Sequence, residues 1–254
     1  MIIDEVSGGV GLLGILSGEW YKIKNSTKEK IILSLSPIIV LFYCVYIICY
    51  KQPANQEAFL QLVRAKVNIL IVIFALFNFI LQEEFSCNTM KNIYCIIGSK
   101  WKIFCSKVIV QSTLVVGIFA IDCFLVYIIS AIYYGNQDGA LSLFLMQFQG
   151  GIVLVWRAMI VLDLLTIILK NDYFVFLGYI IYLQFSKHFM LLIESVFAIP
   201  VKISGFSFQN QMVRLMNYIN DSLELVTFLI DNALIALLCL CICIVISRYS
   251  KVSS

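Results

Sequence analysis

Charge is scarce in this chain. Only 13% of its 254 residues are Asp, Glu, Lys or Arg, while 61% are apolar. A soluble domain carries about 25% charged residues, so a water-soluble globule is excluded. Proline is nearly missing, with three residues in all. No Pro-rich linker divides the sequence, and residues 1–254 are expected to form a single transmembrane domain. There is one histidine, His188, which excludes centres that need several imidazoles. The net charge of +3 is too small to make nucleic acid a partner. No G-x-x-x-x-G-K-[ST] stretch occurs, so ATP has no P-loop here. Gly8, Gly9, Gly11 and Gly14 follow no strand and precede no suitably placed Lys. Asp4 and Glu5 stand where a secretory signal needs basic residues, so no cleaved signal is expected.

Nine cysteines are present, but none forms a CxxC pair. Cys239, Cys241 and Cys243, two apart, fall on different faces of a helix and do not suit a metal. They read as small apolar residues in lipid or a reducing cytosol. No metal, cofactor or catalytic residue is expected on this chain.

Long apolar runs are abundant. A helix needs about 20 apolar residues to cross a bilayer. Unbroken runs favour helices over the alternating pattern of a barrel. Six spans are expected: Ile31–Tyr50, Leu62–Leu81, Val108–Tyr134, Leu141–Leu169, Tyr173–Phe197 and Leu225–Ser247. Arg64 and Lys66 snorkel at one end of the second. The fold class is therefore all-α and polytopic. Lys22, Lys24, Lys28, Lys30, Lys91, Lys100, Lys102, Lys107, Lys170, Arg248 and Lys251 fall on one side of this topology. Lys51, Arg64, Lys66, Lys187, Lys202 and Arg214 fall on the other. The richer side is cytoplasmic, which puts both termini inside.

Two amphipathic stretches flank the spans. Leu12, Leu13, Leu16, Trp20 and Ile23 recur near helical spacing, with Glu19, Lys22 and Lys24 opposite. They predict an interfacial helix within residues 1–30. Ser26-Thr-Lys-Glu29 reads as a capping box before the first span. Met212, Leu215, Met216, Ile219 and Leu223 mark an extracellular amphipathic segment within 200–224. That segment either rests on the headgroups or covers an outer mouth.

Asp122, Arg157, Asp163 and Asp231 are charges inside the spans. Each costs about 2.5–3.5 kcal/mol at the bilayer centre and should face protein or water. Asp122 and Arg157 lie at similar depth by residue count and are expected to pair, as a structural bridge or along a path. Asp163, near the inner end of its span, and Asp231, near the outer end of its own, are expected to reach headgroup water.

The charged connector Gln82–Lys107 is the most informative stretch. Glu83-Glu84 followed by Asn88 lacks the Arg of an EExxxR protease motif, and the single histidine cannot complete that site. Ser99-Lys-Trp-Lys102 matches SxxK without its partner motifs. The connector instead resembles the cytoplasmic loop of ABC-2 type transporter permeases. The small permeases of bacitracin and lantibiotic self-protection transporters are the most similar. Glu84, Thr89, Lys91, Gly98, Ser99 and Lys107 match that pattern. Asn88 stands where Gly is common, and Lys100 stands near the usual Arg. Glu19-Trp20-Tyr21-Lys22 is similar to the family's N-terminal helix.

The resemblance implies a cytoplasmic coupling loop over 82–107, with Glu83 and Glu84 at its start. Met90, Ile93, Tyr94 and Ile97 form an apolar ridge at helical spacing. That ridge would dock on a separate cytosolic ABC ATPase subunit, which binds the ATP, or else pack on the protein's own inner surface. A second permease chain, identical or not, would complete the complex in a bacterial plasma membrane. The implied function is export of an amphipathic antimicrobial peptide or peptide antibiotic, in self-immunity. Two alternatives stay open. One is an ABC-2 permease for a polysaccharide or lipid. The other is a non-transport membrane enzyme or sensor scaffold working through Asp122, Arg157 or Asp163.

Overall fold

A computed structural model describes residues 12–64, 100–135, 137–197, 202–217 and 222–249. Among the described residues the chain is helical, with no strand. The helices are α1 (Leu12–Asn25), α2 (Thr27–Tyr46), α3 (Gln56–Arg64) and α4 (Lys100–Tyr134), then α5 (Ala140–Leu169), α6 (Asp172–Phe197), α7 (Phe208–Asn217) and α8 (Ser222–Tyr249). A π-helical turn, Ile47–Lys51, extends α2, and a 3₁₀ turn, Ile203–Phe206, precedes α7.

Five stretches are long and apolar enough to cross a membrane: Ser34–Lys51, Lys102–Tyr134, Ala140–Leu169, Tyr173–Phe197 and Leu223–Ile246. They correspond to five of the six expected spans. Of the remaining one, Leu62–Leu81, the first three residues form the end of α3 and residues 65–81 lie outside the described residues, as do residues 82–99 of the connector. Large apolar side chains face outward along the bundle, among them Phe42, Ile132, Phe174, Leu192 and Leu238. That is the inverse of a soluble fold and the expected surface against lipid.

Helix α5 is the central element. Leu154, Val155, Ala158, Met159 and Leu162 are buried along it and join Phe119, Tyr179, Phe208, Leu215 and Phe228 in the main core. Two adjacent glycines let its neighbours approach. A Cβ on Gly150 would lie 2.5 Å from Leu215 Cδ1, and one on Gly151 would lie 2.4 Å from Phe119 Cζ. Helices α7 and α4 therefore press into α5 where it has no side chain, as small residues permit in membrane bundles.

Helix α4 has 35 residues, so it is about 52 Å long at 1.5 Å per residue. The hydrocarbon core is about 30 Å thick. The expected span began at Val108; the helix in fact starts eight residues earlier, at Lys100. Residues 100–107 are thus not loop. Ile103, Phe104, Ser106 and Lys107 are buried, which gives these first turns an inward face. Phe104 and Val108 meet Ile167 of α5 and Cys243 of α8, gathering the ends of three helices.

Helix α1 is rotated from its expected orientation. Ile15 and Ile23 are buried and Glu19 lies between them at i+4, while Leu13 and Trp20 are exposed. The reason is electrostatic. Glu19 Oε1 accepts from Lys107 Nζ at 2.8 Å, and the lysine side chain is 1% exposed. A buried ammonium needs an acid, so the acidic residue turns inward. Ser26 stands between α1 and α2, and its carbonyl accepts the Lys30 N–H at 3.3 Å. The Ser26 N–H goes to the Lys22 carbonyl at 3.0 Å, closing the end of α1.

The far end is built by other contacts. Gln56 Nε2 donates to Ser130 Oγ at 3.0 Å, and the Gln137 N–H donates to Gln56 Oε1 at 3.0 Å. Phe59 packs on Tyr134 with ring centroids 5.8 Å apart. Helix α7 buries Phe208, Gln211, Met212 and Leu215, at spacings of three, four and seven. Three of these side chains belong to the main core, so the apolar face of α7 packs on the bundle. Leu223 is not on that face; it sits on α8, exposed.

Candidate functional site

The intramembrane charges are held separately. Asp122 and Arg157 do not pair, contrary to the expectation from depth. Asp122 Oδ2 accepts from Ser36 Oγ of α2 at 2.5 Å. Arg157 Nη1 donates to Asn232 Oδ1 of α8 at 2.8 Å, and Nη2 to the Phe206 carbonyl at 2.6 Å. Counting residues from the span ends missed both level and face: Asp122 lies beside Gln147, Phe148 and Gly151, and the two side chains leave their helices toward different neighbours.

Arg157 anchors a hydrogen-bonded chain. Asn232 Nδ2 donates to Gln211 Oε1 at 2.9 Å and to the Phe228 carbonyl at 2.9 Å. Gln211 Nε2 donates in turn to the Gly205 carbonyl at 2.9 Å. The chain ties α5, α8, α7 and the 3₁₀ turn together. Arg157 is 1% exposed. Its hydrogen-bond partners are carbonyl and amide oxygens, which spread a positive charge without cancelling it. Gln209 also donates to the Gln184 carbonyl, pinning α7 to α6.

Asp163 is fully buried rather than in contact with headgroup water. Its Oδ1 accepts from Gln111 Nε2 at 3.1 Å, and its Oδ2 has no hydrogen-bond partner. This end of α5 is enclosed by its neighbours, which residue counting could not reveal. Asp231, partly exposed, pairs with Arg214 at 2.9 Å. Arg214 also donates to Thr227 Oγ1 at 2.9 Å. The pair borders a concavity of about 550 Å³ that includes Lys202, Gln211 and Glu224.

A further site lies between α3, α4, α5 and α7. A cavity of about 60 Å³ is lined by Leu60, Val63, Phe119, Asp122, Phe144, Gln147, Phe148, Gly151 and Leu215 among others. Two polar atoms at this cavity have no partner, Asp122 Oδ1 and Gln147 Nε2. The aromatic walls form a ladder. Phe119 stacks on Phe148 at 6.2 Å and 8°, Phe148 on Phe144 at 6.0 Å and 15°, and Tyr127 closes on Phe144 at 4.8 Å.

The connector residues Glu83, Glu84, Thr89, Met90, Lys91, Ile93, Tyr94, Ile97, Gly98 and Ser99 lie outside the described residues, and Lys100 is the first residue of α4. Sequence reasoning passed over Ser36, Gln111, Gln147, Gln211 and Asn232. A signal was there: an uncharged amide in an apolar span must find a partner, as a charge must. The fold and these buried polar groups define a polytopic α-helical membrane protein. Compared with protein-family models and with curated proteins, the chain matches none.

Proposed function

We propose that this chain is the permease subunit of an ABC transporter in a bacterial plasma membrane. It would export an amphipathic peptide or peptide antibiotic, with ATP bound by a separate cytosolic subunit and a second permease chain completing the complex. The observation that carries the reading is the Glu19–Lys107 bridge. Lys107 ends the connector that resembles a coupling loop, and the bridge fastens that end to α1. A push on the connector would move α1 and α4 as one body. Helix α4 carries Asp122 and Phe119 at the enclosed cavity, so the same push reaches the middle of the bundle.

The direction of α3 supports the six-span topology. It starts at Gln56, beside Ser130 and Gln137, and by Val63 it borders the same cavity as Asp122 and Val126. It therefore runs into the bundle against α4, toward the end where α4 begins. The test is genetic. Removing the gene should make the native cell more sensitive to a panel of amphipathic cationic peptides, and wild-type plasmid should restore resistance. Unchanged peptide sensitivity together with a lost envelope polymer would replace the peptide with a polysaccharide or lipid.

A further inference from the structure

We infer that the cavity around Asp122 is a binding site for a primary ammonium group carried on a hydrocarbon stem. Three observations meet there. The first is an unfilled carboxylate oxygen. Asp122 is fully buried, its Oδ2 is taken by Ser36 at 2.5 Å, and its Oδ1 has no partner. A carboxylate accepts about four hydrogen bonds, and a buried one calls for a cation.

The second is the wall. Phe119, Phe144 and Phe148 line the space as a stacked ladder. Aromatic faces attract ammonium groups through their quadrupole, more strongly when water is excluded. The third is size. The space of about 60 Å³ exceeds the roughly 10–15 Å³ that one water-sized group needs, so it admits an ammonium with its first methylene. Gln147 stands at the rim with an unpartnered amide nitrogen. Turned about its last torsion, the amide presents its oxygen instead and accepts a second ammonium N–H. A metal ion fits poorly, because the lining is mostly aromatic and aliphatic, whereas hard cations want six or more oxygens.

The site stands on its own geometry. Its role as a station for exported cargo rests on the permease reading. A lysine side chain of a peptide and an aminolipid headgroup share the required chemistry.

The test is a binding titration with n-hexylammonium on the purified full chain in phosphatidylglycerol nanodiscs, with hexanol as the neutral control. Wild type should bind hexylammonium saturably and more tightly than hexanol. Asp122→Asn keeps an oxygen for Ser36 and removes the charge. It should weaken hexylammonium by about 10- to 100-fold, the range of a charge-assisted hydrogen bond, and leave hexanol unchanged. Phe148→Leu keeps the apolar lining and should weaken hexylammonium selectively, a readout that survives if Asp122→Asn fails to fold. Nanodiscs containing phosphatidylethanolamine separate the sources. Loss of hexylammonium binding there supports an aminolipid occupant, and retention supports a soluble amine such as a peptide lysine. Equal binding of hexanol and hexylammonium by wild type, or wild-type affinity in Asp122→Asn, overturns the inference. None of these arms needs ATP or a partner, so failure of the permease reading would leave them intact.

Discussion

Breaking the Glu19–Lys107 bridge should loosen α1 and destabilise the whole bundle. The lysine is 1% exposed and the glutamate 12%, with 2.8 Å between Nζ and Oε1. At an effective dielectric of about 20, the bare attraction at this distance is about 6 kcal/mol. Desolvation of both groups offsets much of that. The larger effect comes from removing one partner, which takes the counter-charge at 2.8 Å away from a buried or half-buried group. Such single losses cost about 3–5 kcal/mol. Glu19→Gln and Lys107→Met should each fall in that range. The double variant should cost less than the sum, because both members of the pair are then neutral. At about 2–4 °C per kcal/mol, each single variant should melt about 10 °C below wild type. Thermal unfolding in detergent, run as a double-mutant cycle, reads the coupling, and protease cleavage within α1 reads the local loosening. Additive single effects, or losses under about 1 kcal/mol as for an exposed pair, would refute the reasoning.

Three further outcomes follow from the same geometry. Gly151→Val should destabilise by about 1–3 kcal/mol through overpacking and should quench the Phe119–Phe148 stacking, visible as a changed near-ultraviolet circular dichroism. Asn232→Leu removes the Arg157 Nη1 acceptor and the donor to Gln211, so it should cost about 3–5 kcal/mol; Asn232→Asp, which offers Arg157 a carboxylate, should cost less in the same melt. Asp231→Asn touches only a partly exposed pair, and its effect should stay within about 1 kcal/mol and shrink further as salt is raised.

Much of the fold could be read from the runs alone. Apolar length reports span existence well because lipid leaves no other option for the backbone, and the five described spans start and stop within a few residues of expectation, apart from α4. Its start was misjudged because Ser99, Lys100 and Lys102 look like loop. The buried face of Ile103, Phe104 and Lys107 exists only once α1, α5 and α8 are in place. Level and facing were less legible. Asp122 lies beside Gln147, Phe148 and Gly151, nearer the start of α5 than Arg157, and Ser36 and Asn232, 86 and 75 residues away in sequence, claim the two charges. Glu19 was assigned to the polar side of α1 by pattern, although a buried lysine decided otherwise. The Gly150–Gly151 pair carried a signal in the sequence, but the side chains that use it, Leu215 and Phe119, come from two other helices.

The central claim is that the connector couples this chain to an ATP-hydrolysing partner. The direct measurement is mild-detergent purification from the native cell, with associated proteins identified and ATP hydrolysis assayed, for wild type and for the Met90→Asp/Ile93→Asp variant. The account requires a stoichiometric ATPase on the wild-type chain. It requires loss of that subunit, and of the hydrolysis, from a variant that still folds and melts as wild type does. A chain that emerges alone across several mild conditions, or a variant that keeps its ATPase, would contradict it.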